Sequence, residues 1–128
     1  MNRLLLDTHT FIWFVSNDAN LPVSVKDEIE STEVVFLSIA SIWEIAIKIN
    51  IGKLNLQGSF EDIESQLITQ NIRILPLTFA DTVQLRYLPL HHRDPFDRII
   101  IAQAINHSLI LISRDGAFDA YSIQRLWL

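Results

Sequence analysis

Hydrophobic and polar positions along this chain follow two different spacings. Four short runs are apolar almost without a break: Arg3 to Leu6, Val34 to Leu37, Arg73 to Leu77 and Leu109 to Ser113. Their length and aliphatic content predict strands buried on both faces. Between them, apolar residues recur at helical spacing over roughly 9–16, 22–31, 39–50, 59–71, 78–87 and 95–107, with Gly52 and Gly58 punctuating the third and fourth stretches. Strands alternating with helices predict an α/β fold, in which a mainly parallel sheet is covered on both faces and ligand sites gather beyond the strands' carboxyl ends. Over Tyr121 to Leu128, Ile123, Arg125 and Trp127 alternate with Gln124 and Leu126, the pattern of a last edge strand or of a tail that faces a partner. There is no internal repeat.

Four acidic residues interrupt this pattern. Asp7 follows Leu4, Leu5 and Leu6, and Glu44 sits inside Ser41-Ile42-Trp43-Glu44-Ile45-Ala46-Ile47. Asp97 precedes Ile99, Ile100 and Ile101, and Asp115 follows Leu109-Ile110-Leu111-Ile112. Glu28, Glu30, Glu61, Asp62 and Glu64, by contrast, lie in polar runs that read as wetted helix faces. An isolated charge against apolar neighbours costs on the order of several kcal/mol unless it is neutralised, hydrogen-bonded or given a cation. If the four converge, a divalent metal answers that need.

Each of the four also has a local explanation. Asp7 before Thr8 can cap a helix. Glu44 has Lys48 four residues on, the favourable order for a helical ion pair. Asp94 is an N-cap with Pro95 at the first helical position, and Asp97 at the third could close a capping box. Asp115-Gly116 is a turn signature. Glu44 is the least well served by its local explanation, because Ile42, Trp43, Ile45, Ala46, Ile47 and Ile49 leave little solvent face and direct it towards a cleft. His91 and His92 read as a polar loop before a helix, since adjacent residues rarely turn both rings to one ion, and the candidate site excludes them. Trp13, Phe14, Trp43 and Phe96 read as core or interface rather than a base-stacking platform.

Composition narrows the picture further. With 128 residues, 49% of them hydrophobic, and only three Gly and four Pro, the expectation is one domain over residues 1–128 with a substantial core and no disordered linker. A mean hydropathy of +0.25 points to a subunit or partner interface. The absence of Cys excludes thiol catalysis and thiolate ligands and suits a reducing compartment. No apolar run approaches the roughly 18–20 residues of a membrane span, and Met1-Asn2-Arg3 with three leucines before Asp7 is too short for a signal sequence, so the expected location is cytoplasmic. A net charge of −5 and a pI near 5.2 argue against bulk electrostatic attraction of nucleic acid, which leaves local contacts only.

Taken in order, Asp7-Thr8-His9, Ser41-Ile42-Trp43-Glu44-Ile45 to Lys48 with Gly52-Lys53-Leu54, Asp94-Pro95-Phe96-Asp97-Arg98 through Ala102-Gln103-Ala104, and Ser113-Arg114-Asp115 resemble the PIN domain, in its VapC-type toxin branch. Each motif alone is weak, whereas their joint order, spread over essentially the whole chain, is specific. The resemblance implies a three-layer α/β/α domain and a metal-dependent endoribonuclease that hydrolyses RNA phosphodiester bonds. It implies that Asp7, Glu44, Asp97 and Asp115 hold Mg²⁺ or Mn²⁺ and carry catalysis, with Ser113 and Asp94 as helpers and a water rather than a side chain as nucleophile. Lys48, Lys53, Arg93, Arg98 and Arg114 are then the candidates for local contact with RNA. A cognate antitoxin and a homodimer are the implied partners. A haloacid-dehalogenase-type phosphatase would need a second Asp two residues after the first, where this chain has His9, and a receiver-like module does not account for Glu44. The remaining alternative is a catalytically inactive PIN-fold binding or interaction module, which titration with divalent ions would discriminate.

Overall fold

Five strands, β1 (Arg3–Leu6), β2 (Val34–Ser38), β3 (Ile72–Leu75), β4 (Ile110–Ile112) and β5 (Gln124–Leu126), form one wholly parallel sheet of order β3-β2-β1-β4-β5 in the computed structural model, which describes residues 2–128. Strand periodicity sorts the apolar side chains to the two faces. Leu4, Leu6, Val35, Leu37 and Ile112 enter one core with Phe11, Phe14, Val25, Ile29 and Ile45. Leu5 and Leu111 enter the other with Ile100, Ile101, Ala104 and Phe118. Because both faces are covered, the central strands show no polar alternation, which is why they read as continuous apolar runs. Each fully buried Leu or Ile contributes roughly 1.5–3 kcal/mol of transfer free energy.

The helices are α1 (Thr8–Val15), α2 (Val23–Ser31), α3 (Ile39–Asn50), α4 (Ile63–Thr69), α5 (Phe79–Tyr87) and α6 (Pro95–His107). Three of them start from caps that the sequence carries openly. The Asp7 side chain accepts from the Thr10 amide, that of Ser38 from the Ala40 amide, and that of Asp94 from the Phe96 and Asp97 amides. Helix α3 ends where Gly52 takes φ +74°, a conformation that frees the chain to turn away. The predicted 59–71 helix is in fact a 3-10 turn, Phe60–Asp62, followed by α4, because Ser59 and Asp62 cap one another and tighten the first turn. Strand β3 stops at Leu75, before Pro76, which has no amide to donate. The ambiguous end of the chain is an edge strand, β5, and Trp127 beyond it packs on the first core and against Trp13.

Asp81 in α5 is the most deeply buried acid, with no exposed surface, yet it lies beside Asn106 and His107 at the far end of α6, away from the four acids singled out by pattern. It closes a capping box with Thr78, accepting the Thr78 amide at 3.0 Å, and it also accepts the Asn106 amide group at 3.0 Å, with His107 Nε2 3.6 Å away. Burial alone would raise its pKa, but the hydrogen bonds from Asn106 and Thr78, with the field of His107, outweigh burial and hold it below the ordinary carboxylate range. A depressed folded-state pKa contributes stability above the unfolded value, and that contribution is lost as pH falls through the folded one. Asp81→Ala should therefore cost about 1 kcal/mol near neutral pH in a urea titration, by removing the reciprocal half of the capping box and one of the two acceptors of the Asn106 amide. The difference from wild type should narrow in acid.

Candidate active site

The carboxyl edge of the sheet brings the predicted acids together. In β1, Leu6 pairs with Ile112 of β4, and the Asp7 amide then donates to the Ile112 carbonyl at 3.1 Å, extending the ladder by one residue. Thr10 Oγ1 donates to the same carbonyl at 3.1 Å and fixes the start of α1. The Asp7 carboxylate is buried and accepts the Thr10 amide through Oδ1 at 2.8 Å. Capping and site placement are thus one arrangement, because an N-cap at a strand end necessarily lies at the sheet's carboxyl edge.

Glu44 lies on α3, which starts directly after β2. Its carboxylate is buried, accepting from Thr8 Oγ1 at 2.7 Å and pairing with Lys48 Nζ at 3.0 Å. The ion pair expected of an exposed helix face is therefore present but turned into a cleft. Thr8 Oγ1 also lies 3.0 Å from Ser41 Oγ, so two buried hydroxyls hold the glutamate from the side.

At the start of α6, Asp94 Oδ1 takes the Phe96 amide at 2.8 Å and the Asp97 amide at 3.1 Å, as its capping reading requires. The reciprocal bond from Asp97 does not form, and the Asp97 carboxylate turns towards the other acids instead. Ser113 is fully buried, and its Oγ accepts the Asp115 amide at 3.0 Å. Asp115 Oδ1 accepts the Ala117 amide at 3.0 Å.

Asp7, Thr8, Glu44, Asp94, Asp97 and Asp115 line a single cavity of about 130 Å³, with Lys48 as the lysine in that lining. The crowding has an electrostatic signature. Asp97 is pushed up to about 7, first by burial and then by the negative fields of Asp94, Glu44, Asp7 and Asp115. The contrast with Asp81 is instructive, since donors satisfy the acid outside the cleft whereas like charges surround the acid within it.

The basic candidates divide in position. Arg98 is turned inwards, its guanidinium donating to the carbonyls of Pro89 at 3.0 Å, His92 at 3.3 Å and Leu88 at 3.4 Å, so that it braces the loop before α6. Arg93 and Lys53 are exposed and outside the lining of the acidic cavity. Arg114 stacks over the Trp13 ring at 4.7 Å, and both line a neighbouring cavity of about 350 Å³ that shares Asp7, His9 and Asp115 with the acidic one. Of the aromatic residues read as core or interface, Phe14 is buried, and Trp43 is 59% exposed and meets Phe96 edge-on at 5.2 Å.

Sequence reasoning gives no role to Thr8 or Ser41, although both carry a signal, lying one residue after Asp7 and three before Glu44 on the helix that carries it. His92, set aside there as part of a polar loop, is instead a packed side chain only 15% exposed. Its ring is placed beside Asp97 and Asp115 by Phe118 and Tyr121, whose proximity no local spacing reveals.

The family profile of the PIN domain matches residues 4–124. This chain belongs to the PIN domain family. Solved structures agree in fold. The PIN chain superposes on a chain of the DNA-bound VapBC complex from Salmonella typhimurium with a TM-score of 0.74 at 15% identity, covering 98% of each chain. It also matches a chain of FitAcB from Neisseria gonorrhoeae, with a TM-score of 0.63 at 27% identity over 96% of each chain. A toxin–antitoxin complex from Klebsiella pneumoniae matches with a TM-score of 0.63 at 16% identity, covering 97% of this chain and 96% of that one. No curated protein matches significantly in sequence. The resemblance drawn from the ordered motifs, to the PIN domain with its α/β fold, holds.

Because the Asp97 pKa in the folded PIN domain lies above its ordinary value of 3.8, the stability it contributes is full below that value, declines as pH rises, and is lost once the group ionises above about 7. Asp97→Asn should accordingly raise the melting temperature of the metal-free protein at mildly alkaline pH and change it little at pH 4. A variant that melts lower than wild type at alkaline pH would contradict this electrostatic account.

Proposed function

We propose that this PIN domain is an endoribonuclease toxin that requires a divalent cation, with Asp7, Glu44, Asp97 and Asp115 as its catalytic and metal-holding residues. The observation that carries the reading is the convergence of these acids on one small cavity, with the Asp97 pKa raised by burial and by the neighbouring acids. The residues fit a hard cation such as Mg²⁺ or Mn²⁺. Among the described residues, Asp7, Asp97 and Asp115 each keep a carboxylate oxygen that no protein donor satisfies, and oxygen-only donor sets suit these ions. When bound, the cation supplies Lewis-acid stabilisation of the charge that develops on a phosphodiester during hydrolysis.

The chain's own groups set the geometry. The Thr10 amide holds Asp7, and Thr8 with Lys48 holds Glu44, so neither carboxylate needs to reorganise when a substrate arrives. Asp94 orders the first turn that presents Asp97 and adds negative potential beside it. Ser113 is a helper through the backbone, because its hydroxyl fixes the Asp115 amide. A pocket this acidic repels RNA, so cationic contacts belong at its rim, where Arg114 stands on Trp13 with the edge of its guanidinium open to a phosphate.

Two exposed apolar stripes support partner binding. On α3, Ile39, Trp43 and Ile47 follow one another at helical spacing on the helix that carries Glu44, a position suited to an antitoxin that covers the cleft. On α5, Phe79, Val83 and Tyr87 form a second stripe outside the cavity lining, suited to a second copy of the chain. Among the described residues no helix is long and apolar enough to cross a membrane, which is compatible with action on cytoplasmic RNA by a single domain.

Purified protein incubated with total RNA and Mg²⁺ or Mn²⁺ should produce discrete cleavage ends that vanish with a chelator. Asp7→Asn, Glu44→Gln and Asp97→Asn should each lower the cleavage rate by at least about a hundredfold with the fold retained by circular dichroism. Undiminished cleavage by any of the three would remove that residue from the mechanism, and folded wild-type protein that binds neither ion nor cleaves RNA would favour a binding module of the same fold. Arg114→Ala should raise KM for RNA about tenfold with kcat nearly unchanged, and should lower the salt dependence of RNA binding by about 0.7 in logarithmic slope, the signature of one lost phosphate contact.

A further inference from the structure

We infer that His92 supplies an imidazole nitrogen to a divalent-cation position that it shares with Asp97 and Asp115, and that this nitrogen inclines the cleft towards Mn²⁺ over Mg²⁺. The inference rests on the reading of the cleft as a divalent-cation site and extends it to a residue outside the four acids.

The ring is held in place from three directions. It stacks nearly parallel to Tyr121, with centroids 6.3 Å apart and planes 13° apart, and it packs against Phe118 at 5.1 Å. Its own backbone amide donates to the Tyr121 hydroxyl at 2.8 Å, and that hydroxyl donates to the Pro89 carbonyl at 2.8 Å. Its carbonyl accepts from Arg98. A loop residue with this many restraints is a positioned group rather than a solvated one, and its side chain is only 15% exposed.

Positioned in this way, the ring fits between two carboxylates without bonding to either. Nδ1 is 3.9 Å from Asp97 Oδ2, and Nε2 is 3.9 Å from Asp115 Oδ2. Both distances exceed hydrogen-bonding range. Nε2 is moreover buried and has no hydrogen-bond partner, a state that a ring nitrogen rarely occupies unless something else satisfies it. One donor atom from each of His92, Asp97 and Asp115 can be chosen so that all lie within 4.8 Å of one another. A single ion takes only one of the two ring nitrogens, and one donor per residue within 4.8 Å approaches the span of up to about 4.4 Å open to donors about 2.0–2.2 Å from a common ion. Mg²⁺ keeps to oxygen ligands and waters, whereas Mn²⁺, the weakest nitrogen binder of the first-row divalent ions, still accepts an imidazole more readily than Mg²⁺ does, so one nitrogen among carboxylates shifts the balance between these two towards Mn²⁺.

The test is electron spin-echo spectroscopy of the full chain loaded with Mn²⁺, together with calorimetric titration by Mn²⁺ and by Mg²⁺. The expected result is a nitrogen coupling on bound Mn²⁺ that changes when the histidines carry the heavier nitrogen isotope, a comparison that needs no mutation. In His92→Phe, which keeps an aromatic ring against Phe118 and Tyr121, the coupling should disappear and Mn²⁺ affinity should fall about tenfold, with a much smaller change for Mg²⁺. Mn²⁺ bound without nitrogen coupling would overturn the inference and leave the carboxylate site standing. A coupling that survives in His92→Phe would also overturn it, by moving the ligand to His9, which lines the cavity of the acids. Failure of the folded wild-type chain to bind either ion would overturn both this inference and the reading beneath it.

Discussion

Parallel pairing of β1 with β4, registered by Leu6 against Ile112 and continued by the Asp7 amide, is the constraint from which the rest of the cleft follows. In a parallel sheet the neighbouring strands end on the same side, so the residues that follow β1 and β4 become neighbours although about a hundred positions separate them in sequence. Asp7 and the Ser113-to-Asp115 turn are thereby brought together, and β2 delivers the start of α3 to the same edge. A slip of one residue in the β1–β4 register would exchange the two faces of each strand, sending Leu5 and Leu111 into the wrong core. The position of the acids is consequently secured by the hydrophobic sorting of the sheet.

That security is needed because the acids oppose one another. Burial and four like charges raise the Asp97 pKa to about 7, whereas Asp81, buried more completely, stays ionised because amides and Asn106 donate to it. The two residues separate the structural use of a buried carboxylate from its use as a poised charge, and burial alone does not distinguish them. What distinguishes them is whether donors or other carboxylates surround the group. The repulsion in the cleft is sustained by folding energy from the two cores.

The shell around the acids is built from modest parts. Thr8, Ser41 and Lys48 fix Glu44, Ser113 fixes the turn that bears Asp115, and Tyr121 with Arg98 fixes the loop that bears His92. Trp13 similarly orders Arg114 at the adjoining cavity. In a molecule of net charge −5, Lys48, Arg98 and Arg114 are thus paired, braced and stacked respectively, so positive charge near the cleft is placed residue by residue instead of spread as a general field.

The sequence by itself determined the alternation of strands and helices, the caps at Asp7 and Asp94, the stop at Gly52 and the identity of acids that local polarity did not explain. These features are legible because each depends on side-chain period, capping chemistry or backbone freedom within a few residues. Element ends were less legible, as at Ser59, where a reciprocal cap tightened the predicted helix start into a 3-10 turn. Tertiary packing alone settled that Asp97 forgoes its capping box, that Asp81 is satisfied by Thr78 and Asn106 away from the cleft, that Arg98 faces inwards, and that His92 stands between Asp97 and Asp115. Each of those outcomes is set by a partner far away in the chain, such as Asn106 for Asp81 or Tyr121 for His92, and packing distance, unlike periodicity, leaves no trace in neighbouring residues.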